Sequence, residues 1–118
     1  MKRPGLTLLI LALWLLQPAW YLWLSPPTVL PPWFAATAMA LPLLPALLLA
    51  LLGRPSAGFW GGLAALFHFS HGVTELWANP AVMALAATET ALSVALVVAA
   101  SWQGLKARAA RRRSPPTE

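Results

Sequence analysis

Both histidines of this 118-residue chain and one of its three acidic residues fall in a single short run, His68-Phe69-Ser70-His71-Gly72-Val73-Thr74-Glu75-Leu76-Trp77. On a helix, spacings of three and four put His68, His71 and Glu75 on one face. The flanking sequence is apolar, and ionisable groups in such a setting face a bundle interior or a cavity and carry function by default. Imidazole and carboxyl groups so placed support three chemistries: a hydrogen-bonded clasp, a path for protons or substrate, or ligation of a metal. Ligation is restricted by geometry. His68 and Glu75 are about 10 Å apart along a helix. The pairs His68/His71 or His71/Glu75 remain as chelators with Glu89 as a third ligand, but the zinc motif His-Glu-x-x-His is absent, so the metal stays undefined. Two histidines three residues apart cannot bracket a haem within one chain. No cofactor is expected. Ser70 and Ser93 have no neighbour that marks either as an activated nucleophile, so no catalytic residue is assigned.

The elements that position these groups are four apolar stretches, at about 6–24, 33–52, 58–77 and 81–102, each near the 20 residues that cross a bilayer. Short connectors rich in proline, glycine, serine or asparagine separate them, which gives an antiparallel, up-down-up-down bundle. The predicted fold is thus an all-α membrane protein, a four-transmembrane-helix bundle over 1–105 followed by a basic tail, 106–118, without structure. A composition that is 59% hydrophobic and only 9% charged excludes an ordinary soluble domain. The chain has no cysteine, which excludes disulfides and thiolate sites.

The net charge of +5 does not point to nucleic acid, because no basic folded surface is present. Lys2 and Arg3 precede the first stretch, Arg54 lies in the second connector, and Lys106, Arg108, Arg111, Arg112 and Arg113 follow the fourth. By the positive-inside rule both termini and the middle loop are cytoplasmic. The five basic residues after the fourth span are expected at lipid headgroups. A cleaved leader over the first 24 residues is disfavoured by a long apolar run with Trp14, Trp20 and Trp23 and no small-x-small site. Trp20, Trp23, Trp33 and Trp77 are read as outer-interface anchors, and Trp60 and Trp102 as inner ones.

At 1.5 Å per residue, His71 lies about 9 Å below the outer boundary, His68 about 13 Å, Glu89 about 12 Å and Gln17 about 10 Å. Thr37, Thr74 and Thr88 fall at similar or shallower depth. His68, His71, Glu75, Glu89 and Gln17 are therefore read as one polar layer, with Glu89 paired to His68 or His71 across a short turn. The prolines at 42 and 45 predict a bend near residues 38–41. Gly58 and Gly62, and Ala87, Ala91 and Ala95 at four-residue spacing, are candidates for close helix contact, within the chain or between copies.

The Leu41-Pro42-Leu43-Leu44-Pro45 run, the loop with Gly53, Arg54 and Pro55, and His71-Gly72-Val73-Thr74-Glu75-Leu76-Trp77 before Asn79-Pro80 resemble a family of small bacterial inner-membrane proteins, catalogued as a domain of unknown function (two-zero-six-nine). The resemblance covers roughly residues 6–105. It implies a four-helix inner-membrane protein and transfers no activity. Of the polar residues, His71 and Glu75 match the family run. Two functions stay open: a non-enzymatic protein acting through association, as an accessory subunit or small homo-oligomer, and a small transporter or proton- or metal-handling protein built on the polar layer. The partners implied are the bilayer and a membrane protein or second copy.

Overall fold

The computed structural model describes residues 4–113 of the chain, and every regular element among them is helical. Helix α1 (Pro4–Pro18) opens on a proline, which suits a first helical position because its missing N–H has no partner there. Pro18 has no N–H to offer the carbonyl one turn back, and the chain beyond it relaxes into a π-helical segment, Ala19–Leu24. That segment closes on a bond from the Ser25 N–H to the Trp20 carbonyl, 2.8 Å.

Helix α2 (Pro32–Ala40) and helix α3 (Leu44–Leu51) are separated by a 3-10 turn, Leu41–Leu43. Pro42 and Pro45 each delete a donor of the α ladder, and the tighter turn between them absorbs the loss. Helix α3 stops at Gly53, whose φ of 72° is open to glycine at no steric cost. Its N–H bonds Ala50 O at 3.0 Å while the Arg54 N–H reaches back to Leu49 O at 2.8 Å, the paired closure that ends many helices.

Helix α4 (Ala57–Ala78) ends where Asn79 N–H bonds Glu75 O at 2.9 Å and Pro80 forbids continuation. A 3-10 turn, Pro80–Val82, leads at once into helix α5 (Met83–Arg113). Helix α5 therefore includes Lys106–Arg113, in contrast to the unstructured tail expected from the sequence. Alanine and arginine are strong helix formers, and cations suit a helix C-terminus. Residues 114–118 of that tail lie outside the described residues.

Among the described residues, three helical stretches are long and apolar enough to cross a membrane: Pro4–Leu24, Pro32–Leu51 and Pro80–Arg113. Helix α4 has the length, at 22 residues, but its polar groups and glycines lower its mean hydropathy. Of the four stretches expected from the sequence, three meet this criterion.

The apolar core has two parts. Ile10, Leu13, Leu43, Leu47, Ala65 and Leu96 anchor the larger, and Trp20, Val82 and Ala86 form the smaller. Gln17, His68, Glu89 and Ser93, all wholly buried, fall between the two along the chain positions of their helices. Helices α4 and α5 touch in opposite sequence order. A Cβ on Gly62 would meet Ala100, one on Gly61 Leu96, and one on Gly72 both Thr90 and Ala86.

Ala87 and Ala91 are exposed and Ala95 is half-buried, so this stripe is not the α4-facing seam. A four-residue repeat drifts about 40° per step around a helix, so the stripe winds away from any one neighbour. Of the two proposed glycines, Gly58 is buried and Gly62 half-buried.

Candidate functional site

One carboxylate organises the polar interior. Glu89 of α5 reaches α4, where its Oε2 lies 3.1 Å from His68 Nδ1 and its Oε1 lies 2.6 Å from His71 Nδ1. A carboxylate has acceptors only, so with Glu89 ionised both Nδ1 atoms carry protons and donate to it. The far side of His71 meets the π segment, where Tyr21 Oη lies 2.8 Å from His71 Nε2. With its proton on Nδ1, neutral His71 accepts there and the Tyr21 hydroxyl donates. Tyr21, His71, Glu89 and His68 thus form one chain of hydrogen bonds across three helical stretches. Glu89 and His68 are wholly buried, and the His71 side chain is 20% exposed.

Local structure places each member. His68 and His71 are one turn apart on α4, so both meet a single carboxylate. Ser93, wholly buried, donates to the Glu89 carbonyl at 2.7 Å and fills the next turn of α5. Close approach of α4 and α5 depends on Gly72. A Cβ there would stand 2.5 Å from Thr90 Oγ1 and 3.1 Å from Thr90 N, and Thr90 Oγ1 is itself fixed to Ala86 O at 2.8 Å. Trp20 packs over the cluster, its ring centroid 5.4 Å from Tyr21 and 5.3 Å from His71. At 2% exposure Trp20 is a core residue, not the interface anchor that the sequence suggested, whereas Trp23, Trp33 and Trp77 are exposed.

Other members of the predicted layer lie apart from the chain. Glu75 sits one turn beyond His71 and takes a bond from Asn79 Nδ2 at 3.3 Å at the end of α4; a further turn of rise carries it away from Glu89. Gln17 is wholly buried but donates to its own helix at Leu13 O, 2.9 Å. Thr37, Thr74 and Thr88 are exposed and bond the carbonyls of Trp33, Ser70 and Ala84, four residues back, as hydroxyls in helices commonly do.

The sequence assigns no role to Tyr21 or Gly72 and places Trp20 at the membrane interface instead of in this cluster. A glycine four residues after His68 on the same face was a visible signal for Gly72; Tyr21, the chain's one tyrosine, carried a weaker one.

A family profile described as a predicted membrane protein, DUF2069, matches residues 6–108. The chain belongs to the DUF2069 family. No curated protein and no solved structure matches it.

In this DUF2069 chain, no group of three or more histidine, cysteine or acidic side chains among the described residues is arranged to hold a metal ion. Glu89 spends its two oxygens on two different ring nitrogens, and the other nitrogen of His71 is taken by Tyr21. His68 Nε2 is different: it is buried with no hydrogen-bond partner, as are Gln17 Oε1 and Trp14 Nε1. The DUF2069 chain of bonds therefore ends on a ring nitrogen able to accept a proton.

Proposed function

We propose that the chain is a non-enzymatic, four-span protein of a bacterial inner membrane, an antiparallel bundle with both termini and Arg54 in the cytoplasm. It acts through association, as an accessory subunit or small homo-oligomer. Helix α4 is counted as a span because its outward face is apolar: Phe59, Leu63, Leu66, Phe67, Val73 and Trp77 are exposed. Its histidines point inward, the exposed Ser70 and Thr74 return their hydroxyls to carbonyls of the same helix, and an average over both faces hides that asymmetry. Such a surface suits lipid and would be a liability in water.

One observation carries the role given to the polar cluster. A single buried carboxylate takes both histidines of the neighbouring helix, and Tyr21 from a third stretch closes on the outer imidazole. That arrangement fixes the relative height of three helical stretches, since a shift of one turn would strand buried polar groups at about 1–3 kcal/mol each. On this reading the cluster is a clasp that presents a defined outer surface to a partner. Purification in mild detergent followed by native mass spectrometry tests it. A stoichiometric protein partner or a homo-oligomer is the expected result, and a monomer without either contradicts it.

The unpartnered His68 Nε2 favours a second reading, a proton-handling protein. A proton taken up there allows the Nδ1 proton to pass to Glu89 Oε2, which leaves a neutral carboxylic acid beside a neutral imidazole. Proton uptake by proteoliposomes that is lost in Glu89→Gln would establish this reading in place of the first.

A further inference from the structure

Along the outer side of α4 and α5 runs an apolar groove of about 410 Å³, lined among others by Gly58, Gly62, Leu66, Val97, Ser101 and Gly104. It continues into a second hollow of about 190 Å³ that shares Leu66 and Val97 and extends to Phe69 and Val94. From Val94 to Gly104 the helix rises about 15 Å, which is the depth of one bilayer leaflet's hydrocarbon. The floor is open because side chains are missing. A Cβ on Gly62 would already touch Ala100, at 3.5 Å, while one on Gly104 meets nothing within 4 Å.

The charge at the mouth of the groove says what fills it. Val97, Ser101, Gly104, Arg108 and Arg111 follow one another at alternating steps of four and three, so they share a face of α5. Side chains on a helix lean toward its N-terminus, and Arg108 stands one turn beyond Gly104 on this face, within reach of a headgroup at the end of the groove. Both arginines are exposed. A docked apolar helix would bring nothing to match two cations at this end, whereas a phosphate is met by paired donors.

We propose that the groove is a binding site for one anionic glycerophospholipid, with an acyl chain laid from Gly104 toward Val94 and the phosphate on Arg108 and Arg111. Recognition of this kind exceeds the general attraction of a basic segment for a charged leaflet, because shape and charge meet at one place. The proposal rests on the four-span reading. That reading is tested separately by the sidedness of its loops, while the lipid site is tested on chain already inserted in a bilayer.

The experiment is native mass spectrometry of the full chain released from nanodiscs made of equal phosphatidylglycerol and phosphatidylcholine. A single phosphatidylglycerol should be retained in preference to phosphatidylcholine. Arg108→Gln and Arg111→Gln should each reduce that preference by about fivefold. Gly104→Leu should abolish retention of either lipid with an unchanged helical spectrum, since the position has room for a side chain. Equal retention of the two lipids by the natural chain would overturn the proposal, as would retention indifferent to all three substitutions. A dimer that Gly104→Leu dissolves would overturn it too, by giving the groove to a second copy.

Discussion

Replacing Glu89 separates the clasp from a simple need for charge. In Glu89→Leu, His68 Nδ1 and His71 Nδ1 lose their common acceptor, at 3.1 and 2.6 Å. His68 is wholly buried and has nowhere to turn, while His71 keeps Tyr21 and a little exposure. Interhelical hydrogen bonds in membranes contribute on average about 0.6 kcal/mol and at most about 1.7. Two such bonds therefore predict a loss of about 1–3 kcal/mol. Glu89→Gln keeps the shape and both contacts, because the amide oxygen accepts from His71 while the amide nitrogen donates to His68 in its other tautomer. It should lose less than about 1 kcal/mol by the same scale. Equilibrium unfolding in mixed micelles, followed by circular dichroism and tryptophan fluorescence, reads both. Equal losses for the two variants, or no loss for Glu89→Leu, would refute the clasp.

Tyr21→Phe removes one bond to His71 Nε2, and a double-mutant cycle with His71→Gln should show coupling of about 0.5–1.5 kcal/mol; additive losses would mean the contact does not form. Gly72→Ala should destabilise by about 1–3 kcal/mol, because its Cβ meets Thr90 Oγ1 and backbone together and the helices must part. Gly104→Ala should act in the opposite sense and stabilise α5 by up to about 1 kcal/mol, since nothing opposes its Cβ. The same unfolding assay checks both glycines, and a loss at 104 equal to that at 72 would contradict the packing described.

Glu89 could be placed from sequence because helical rise converts position into depth, and a three-residue turn leaves the next helix little freedom. The same arithmetic put Gln17 and Glu75 at acceptable heights but could not say which way they face. Gln17 turns to Leu13 O on its own helix, and Glu75 to Asn79. Tyr21 was out of reach for a different reason. Pro18 converts the following turns to π geometry, and that changes which side chains point at α4. The alanine stripe does not follow α4, because four-residue spacing looks like a face over two turns and drifts off it over three. The glycine that matters, Gly72, stands alone, without a second glycine to make a pattern. Helix α4 shows the limit of average hydropathy, which cannot distinguish a helix with mixed faces from one that is weakly apolar throughout.

The account depends most on α4 crossing the bilayer, since only then do His68 and His71 lie within it beside Glu89 and both termini share a side. The absence of cysteine from the chain makes single-cysteine labelling clean at Ser56 and Asn79, which cap the two ends of α4. With a membrane-impermeant maleimide on intact cells, Asn79→Cys should label and Ser56→Cys should label only after the membrane is opened. Labelling of both from outside, or of neither, would place the two ends of α4 on one side and contradict the four-span bundle.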